Sequence, residues 1–196
     1  MNNGHTTREA WLLEAVGLLR PIFLGKNHIV PTHVLVSCGF ASTGLKSQHI
    51  GQCWPRKRSA ELHNQIFISP VLSDPIEVLD TLIHELVHAV DDCQHNHGKE
   101  FKKIALSIGM KGPMRSAGAG PELKQYLQTV AAVLGPYPHT KLEVTHKKRV
   151  STPRPKAVCK HCGFQVPMFR KFVAYGPPIC PKDKTDMTPM GNWDGE

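Results

Sequence analysis

The chain has 196 residues, 40% of them hydrophobic, and a formal net charge of +8. This length allows one good hydrophobic core and a small appendage. No apolar run approaches the ~20 residues that span a bilayer, and the polar start Met1-Asn2-Asn3-Gly4-His5 lacks a secretory pattern. These observations exclude a membrane-spanning class and predict a soluble, cytoplasmic protein.

The positive charge is concentrated in the last quarter of the chain. Residues 1–140 contain 13 Lys and Arg against 11 Asp and Glu, whereas residues 141–196 contain 11 against 5. The sequence therefore predicts a nearly balanced first part, and a C-terminal part suited to an anionic partner.

Six cysteines occur, at positions 38, 53, 93, 159, 162 and 180. Without an export signal, they are expected to be reduced thiols or metal ligands and not a disulfide framework. Cys38 and Cys53 lie in apolar, strand-like stretches, so we expect them to be inert core residues.

The first part of the chain reads as one helix followed by about three strands. Thr6-Thr7-Arg8-Glu9 is a capping-box pattern, and it opens a helix that should run to about Arg20 and stop before Pro21. Strands are predicted over residues 33–38, 49–54 and 65–69. The basic run Pro55-Arg56-Lys57-Arg58 lies between the last two strands and reads as an ordinary solvated loop.

A second helix follows, with a strong start signal. Asp74-Pro75-Ile76-Glu77 supplies an N-cap, a proline at the first helical position and a glutamate at the third. Its apolar residues (Ile76, Leu79, Leu82, Ile83, Leu86, Val87 and Val90) share one arc of the helical wheel, and its polar residues gather opposite. One helix, three strands and this helix predict an α+β core.

The polar face of this helix carries His84-Glu85-Leu86-Val87-His88, a His-Glu-x-x-His pattern. Four residues is about one turn, so both imidazoles project from one face and can hold one zinc ion. Glu85, rotated about 100° from His84, borders the metal and suits a base acting on its bound water. The alternative is an ordinary amphipathic helix whose solvent-exposed face carries two histidines that have no role in metal binding.

A catalytic zinc needs a third protein ligand. The metzincin spacing would require glycine at position 91 and histidine at 94, where this chain has Asp91 and Gln94. Spacing alone leaves three candidates open, namely His95, His97 and Glu100.

Two more helices and a linker complete the chain order before the last cysteines. Helices are predicted from Lys99 to Ile108 and from Pro121 to Leu134, the latter capped by Gly135. Between them lies a glycine-rich loop, residues 112–120. We expect residues 1–140 to form one domain, residues 141–156 a basic linker and residues 157–196 a separate small module.

The small module contains Cys159-Lys160-His161-Cys162-Gly163, two short strands over residues 164–178, and then Cys180. A zinc ribbon would place a fourth cysteine at 183, where this chain has Asp183. Three interpretations stay open: a structural zinc held by three cysteines and Asp183, a zinc completed by His161 or a more distant residue, or a degenerate ribbon without metal. Redox use of Cys159 and Cys162 is a fourth, less favoured because no thioredoxin-like βαβ pattern surrounds them.

The pattern His84-Glu85-Leu86-Val87-His88-Ala89, followed by His97-Gly98-x-x-Phe101, resembles the SprT-like metallopeptidases, a family that includes the Spartan proteases acting on DNA-crosslinked proteins. The resemblance implies a zincin-like core followed by a zinc-ribbon-like module. It implies His97 as the third zinc ligand, Glu85 as the catalytic base and Phe101 as a packing residue of the second helix. Tyr137, His139 and Arg115 are candidates for the group that stabilises the oxyanion, and nothing selects among them.

Basic residues lie next to the cysteine module, with aromatic residues nearby. They could contact the phosphates of a nucleic acid while Phe169, Phe172 and Tyr175 stack on unpaired bases. The residues expected to do so are Lys147, Lys148, Arg149, Arg154 and Lys156. A merely solvated basic linker explains them nearly as well.

The leading hypothesis is therefore a zinc-dependent endopeptidase, with one catalytic zinc, a second structural ion and protein substrates that include DNA-bound ones. The alternative is a zinc-stabilised nucleic-acid-binding or transcription-associated module without peptidase activity.

Overall fold

The computed structural model describes residues 4–42, 44, 49–144 and 154–193. The chain divides into two compact units, Met1–Val144 and Thr145–Glu196. Cis peptide bonds do not occur among the described residues. No helix in these ranges is long and apolar enough to cross a membrane.

Helix α1 spans Arg8–Leu24, four residues beyond the predicted stop at Arg20. Pro21 lies inside the helix, where a proline donates no backbone hydrogen bond and its ring crowds the carbonyl group one turn earlier. The last turn is held by burial of Phe23, which is 0% exposed, and by a hydrogen bond from the Gly25 N–H to the Pro21 carbonyl oxygen. Burial thus extends the helix past a residue that usually ends one.

The start of α1 also differs from the predicted capping box. Thr7 is the N-cap, and its hydroxyl accepts a hydrogen bond from the Ala10 N–H. The N-cap thus lies one residue later than the pattern predicted, so Ala10 and not Glu9 occupies the third helical position. The Glu9 carboxylate instead accepts a hydrogen bond from the Cys38 N–H at 3.0 Å. A long-range contact to a strand has replaced a local one.

Three strands form the sheet of the first unit: β1 (Val34–Cys38), β2 (Gly51–Trp54) and β3 (Asn64–Ile68). Their order is β1-β3-β2, with β1 parallel and β2 antiparallel to β3. Burial alternates along β3, with every second residue buried. One face of the sheet therefore packs on the core, and the other remains open.

Helix α2 spans Pro75–Val90, and its N-cap is as predicted: the Asp74 carboxylate accepts hydrogen bonds from the Ile76 and Glu77 N–H groups, both at 3.0 Å. Its apolar arc is buried, with Leu79, Leu82 and Leu86 all 0% exposed. The burial is wider than the predicted arc, since Glu85 and Thr81 are each only 7% exposed. This helix is the central element of the core.

The rest of the unit consists of α3 (Lys99–Ser107), the short antiparallel pair β4 (Met110–Lys111) and β5 (Gly118–Ala119), and α4 (Pro121–Leu134). Gly135 caps α4 with a φ of 75°, in the left-handed region that glycine tolerates. Strand β5 lies within the glycine-rich segment 112–120 that was predicted as a loop, and β4 lies directly before it; neither gave a strand signal.

The second unit contains a small three-stranded sheet with order β7-β6-β8, built from β6 (Lys156–Val158), β7 (Gln165–Pro167) and β8 (Thr188–Met190). Residues 164–178 hold one strand and not the two predicted, because Arg170–Tyr175 forms a 3₁₀ helix. In the described part of this unit, four residues form the buried hydrophobic cluster: Ala157, Cys159, Cys180 and Met187.

Candidate metal centre

Three imidazoles converge at one point beside helix α2. Nε2 of His97 lies 3.2 Å from Nε2 of His84 and 3.2 Å from Nε2 of His88. His84 and His88 project from adjacent turns of α2, and His97 comes from the loop before α3. The three form one group whose ligand atoms all lie within 4.8 Å of one another.

The other two candidates for the third ligand lie elsewhere. His95 is exposed, and its Nδ1 pairs with the Asp91 carboxylate at 2.7 Å. This contact raises the pKa of His95 and favours its charged form, which does not bind metals. Glu100 is exposed in the first turn of α3.

The loop that carries His97 is held by hydrogen bonds near its start, at Asp92, and at its end, at Gly98. The Asp92 carboxylate accepts hydrogen bonds from the Asn64 side chain at 3.0 Å and from the Arg56 N–H at 2.9 Å. These bonds tie the loop to the strand region, and Asn64 itself is fully buried. The Gly98 N–H closes the turn on the His95 carbonyl oxygen at 2.8 Å.

Glycine is required at position 98 for a steric reason. A Cβ there would lie 2.9 Å from the His95 carbonyl oxygen, closer than side chains normally approach. The His-Gly pair of the sequence pattern thus reflects a tight turn that delivers His97 to the other two imidazoles.

The ring of Phe101 supports all three histidines. Its centroid lies 5.1 Å from that of His84, 4.4 Å from that of His88 and 4.9 Å from that of His97, and it is 0% exposed. Phe101 is therefore a packing residue that joins α3 to α2 through the imidazoles.

Burial keeps the imidazoles neutral. It lowers the pKa of His84 and of His97 and, together with its two neighbouring imidazoles, lowers the pKa of His88 to about 3. Neutral imidazole is the form that binds zinc. Three imidazole nitrogens held by one tetrahedral zinc lie about 3.3 Å apart, so the observed separations of 3.2 Å fit that ion.

The orientation of His84 is set from outside the group. Its Nδ1 lies 3.2 Å from the Ala117 carbonyl oxygen, which fixes the tautomer with Nε2 free to bind a metal. The adjoining strand β5 is held to α2 because the Asp80 carboxylate accepts a hydrogen bond from the Ala119 N–H at 2.7 Å. Neither backbone partner was predicted from the sequence, because each lies far along the chain, 33 and 39 residues away from the group that it contacts.

Glu85 lies against the edge strand of the sheet. Burial raises the pKa of its carboxyl group to about 8, while a hydrogen bond from the Cys53 backbone acts in the opposite direction. A Cβ at Gly51 would come within 2.6 Å of its Oε1. Glycine at this position therefore leaves the space that the carboxylate occupies.

Cys38 and Cys53 are half-buried, and Cys53 packs against the hydrophobic core from the sheet. Cys53 faces the loop, where Cys93 donates a weak hydrogen bond to its carbonyl oxygen at 3.5 Å, and the same neighbour together with burial raises the pKa of the Cys53 thiol. Cys38 accepts a hydrogen bond from the Arg8 guanidinium at 3.2 Å. Neither thiol belongs to a candidate metal group of the described residues.

A cleft of about 320 Å³ opens beside His84 and Glu85. It is lined by His49, Ile50, Gly51, Asp80, Thr81, His84, Glu85, Arg115, Ser116, Ala117 and Gly118. Of the three oxyanion candidates, Arg115 lines this cleft. Tyr137 instead packs edge-on against Trp11 at 5.0 Å, and the His139 carbonyl oxygen accepts a hydrogen bond from Arg8.

The second candidate group is formed by Cys159, Cys162, Cys180 and Asp183, whose ligand atoms also lie within 4.8 Å of one another. Sγ of Cys162 lies 3.5 Å from Sγ of Cys180, and Sγ of Cys159 lies 3.2 Å from the Asp183 carboxylate. His161 is exposed and is not a member of this group. Asp183 thus stands where a fourth cysteine would stand in a ribbon.

The electrostatics of this group favour anionic donors on two of its members. A backbone hydrogen bond from the Asp183 N–H lowers the pKa of the Cys180 thiol. Hydrogen bonds from Cys162 and Cys159 lower the pKa of Asp183. Three sulfur atoms and one carboxylate oxygen are all donors that zinc accepts.

The predicted nucleic-acid contacts are only partly described. Lys147, Lys148 and Arg149 lie outside the described residues. Arg154 is exposed, and the ammonium group of Lys156 donates a hydrogen bond to the Gln165 side chain at 2.9 Å. Phe169 and Tyr175 are 73% and 84% exposed.

Comparison with known proteins identifies one family. The model described as the SprT-like family matches residues 33–128, a range that contains the three strands, helices α2 and α3, and all three histidines. No curated protein and no solved structure shows significant similarity to the chain.

Proposed function

Residues 33–128 form a SprT-like region, and from this premise we propose that the protein is a zinc-dependent endopeptidase with a zincin-like catalytic core. The observation that carries the proposal is the convergence of three imidazoles. Nε2 of His97 lies 3.2 Å from Nε2 of His84 and 3.2 Å from Nε2 of His88. Glu85 lines the cleft beside them. A purely structural site has no use for a carboxylate at that position.

The three histidines would hold the zinc, and zinc supplies an acidified water and a Lewis acid for the carbonyl of the scissile peptide. Glu85 accepts a proton from the attacking water and delivers it to the leaving amine. The Ala117 carbonyl oxygen holds the ring of His84 through Nδ1. The buried ring of Phe101 packs against the imidazoles of His88 and His97.

Arg115 is our candidate for the oxyanion-stabilising group. It lines the cleft with His84 and Glu85, and its charge adds to the effect of burial in lowering the pKa of His97. A cationic donor at the cleft would stabilise the negative charge that develops on the carbonyl oxygen.

The second unit would hold a structural zinc through Cys159, Cys162, Cys180 and Asp183, as a zinc-ribbon-like module. Its exposed aromatic rings and basic residues support binding to DNA, and hence substrates that are themselves DNA-bound. Lys171 lies over one face of the Phe172 ring at 4.7 Å, so a cation for a phosphate lies next to a ring whose other face can stack on a base.

The decisive experiment compares wild type with Glu85→Gln on histone-like proteins, without DNA and with single-stranded or duplex DNA. Glu77→Gln is the matched control, because it makes the same change on an exposed residue of the same helix. We expect cleavage in wild type and Glu77→Gln, none in Glu85→Gln, and equal zinc content in all three. Cleavage by Glu85→Gln would refute its role as the base.

A second function rests on the aromatic and basic surface of the second unit. If wild type binds DNA firmly and cleaves no protein under any of these conditions, the chain is a zinc-stabilised nucleic-acid-binding module with an unused peptidase-like site.

A further inference from the structure

The open face of the first unit's sheet carries a second pocket, away from the metal centre. Gly51 of β2 faces Glu85 and Thr81 of helix α2, and Cys53 packs against the core on the same side of the strand, so the next residue along, Trp54, points to the opposite side. Trp54 pairs with Gln65 of β3. Phe67, two residues beyond Gln65, lies on the same open face.

This pocket has a volume of about 330 Å³, within the size range of small-molecule sites. Its apolar walls are the rings of Trp54 and Phe67. Its polar lining comes from Arg58, Ser59, His63 and Gln65. Aromatic walls with a few convergent polar groups are typical of a ligand site.

The polar groups of the pocket have unused hydrogen-bonding capacity. Within the part of the chain that the structure describes, the Trp54 indole N–H, the Arg58 guanidinium and the Gln65 amide make no side-chain hydrogen bond. Arg58 is exposed, and Trp54 and Gln65 are half-buried, so these groups are accessible to water and to a ligand that replaces it.

The charge around the pocket is positive. Arg58 belongs to a 3₁₀ turn, Arg56–Arg58, in which all three side chains are cationic and exposed. Nε of Arg56 lies 3.5 Å from the Asp92 carboxylate, whereas Arg58 is one of the residues that line the pocket. The nearest acid, Glu61, is 80% exposed and lies 3.5 Å from the His63 ring.

These features define the chemistry of a ligand. Two aromatic rings favour a flat, π-rich group, an amide favours a hydrogen-bonding edge, and a guanidinium favours a phosphate. We propose that this pocket binds one nucleotide of a single-stranded nucleic acid, with the base against Trp54 and Phe67, its edge at Gln65 and its phosphate at Arg58. A base inside a duplex is stacked on its neighbours and does not enter such a pocket.

The site does not depend on peptide hydrolysis, so it can be tested by binding alone. The probe is a fluorescein-labelled oligothymidylate of about 12 nucleotides, a length in the range that one single-strand-binding domain covers. Full-length protein is titrated by fluorescence anisotropy at several salt concentrations, and the corresponding duplex serves as the comparison ligand.

Trp54→Ala should weaken binding of the single strand about 5- to 100-fold, the usual effect of losing one stacked base. Trp54→Phe keeps a ring and should retain most of the affinity, which separates stacking from a folding defect. Arg58→Gln should lower the salt dependence by about one phosphate contact. Lys57→Gln is its matched control, since Lys57 is an exposed cation of the same turn that does not line the pocket.

Intrinsic fluorescence gives a direct readout of the same contact. The chain has three tryptophans, and Trp11 is 0% exposed. In Trp193→Phe, quenching by the unlabelled oligonucleotide therefore reports on Trp54. The proposal predicts quenching by the single strand and none by a blunt duplex.

The proposal is overturned if Trp54→Ala and Arg58→Gln bind the single strand as tightly as wild type, or if no quenching occurs at saturation. Equal quenching by the duplex would also contradict stacking of an unpaired base. Loss of protein cleavage in Trp54→Ala, with unchanged oligonucleotide affinity, would assign the pocket to a protein substrate instead. Because the readout is binding, these outcomes are independent of whether the metal centre is a peptidase.

Discussion

Replacing Phe101 by alanine tests whether the core of the protein shapes the metal centre. The ring is fully buried and lies 4.4–5.1 Å, centroid to centroid, from all three imidazoles. Its removal leaves a cavity, so we expect a loss of roughly 3–5 kcal/mol in the free energy of unfolding. Because the imidazoles then lose the surface that orients them, zinc affinity should also fall, by about 10- to 100-fold.

The matched control is Phe23→Ala, which makes the same change at another fully buried phenylalanine, in α1. It should cost similar stability and leave zinc affinity unchanged. Phe101→Leu keeps most of the volume and should lose less than about 1.5 kcal/mol. Thermal unfolding and zinc titration against a competing chelator measure the two effects. Equal zinc affinities for Phe101→Ala and Phe23→Ala would show that Phe101 stabilises the core but does not orient the imidazoles.

Three further changes probe the surroundings of the site. Gly51→Ala places a Cβ 2.6 Å from Oε1 of Glu85 and should displace that carboxylate. We expect most peptidase activity to be lost in a cleavage assay, while metal analysis finds the zinc content of wild type. Asp80→Ala frees strand β5 from α2 and should weaken zinc binding about tenfold in a chelator titration, whereas Asp80→Asn, which keeps an acceptor oxygen, should bind nearly normally. In metal-free protein the folded-state pKa of Glu85 is raised, from 4.5 to about 8, so its ionisation increasingly destabilises the fold as pH rises between these values. Glu85→Gln should then match wild type in urea unfolding at pH 4 and exceed it by on the order of 4 kcal/mol at pH 9; equal stability at pH 9 would contradict the burial of a charge there.

Helix α2 could be predicted in detail because its signals are local. The Asp74-Pro75 start, the 3.6-residue spacing of Leu79, Leu82 and Leu86, and the pair His84 and His88 all lie within a few residues of one another. Each acts through hydrogen bonds or packing that depend on helical geometry alone. The structure gives this helix the bounds that those signals indicate.

The features that were missed depend on contacts between distant parts of the chain. Helix α1 passes Pro21 because Phe23 is buried by elements that come later in the sequence. The Ala117 carbonyl reaches His84 from a glycine-rich segment that has no periodicity. A backbone carbonyl carries no residue signature, so such a partner cannot be read from residue types.

The third ligand shows where local reasoning ends. Spacing left His95, His97 and Glu100 open, and the choice depends on the turn between α2 and α3. In that turn the Asp91 carboxylate holds His95 by both its ring and its backbone N–H. His95 is thereby engaged, and the chain is directed so that His97 meets the other two imidazoles.

The two metal centres relate to the fold in opposite ways. At the first candidate centre, an apolar core beneath the imidazoles, with Leu82, Leu86 and Phe101 all 0% exposed, positions the three histidines through packing. At the second, two of the four residues of the buried hydrophobic cluster in the described part of the unit, Cys159 and Cys180, are themselves candidate donors. A core this small does not offset the entropy of ordering its chain, so a metal ion bound there would contribute folding free energy directly. We therefore expect zinc at the first centre to serve chemistry and zinc at the second to stabilise the fold.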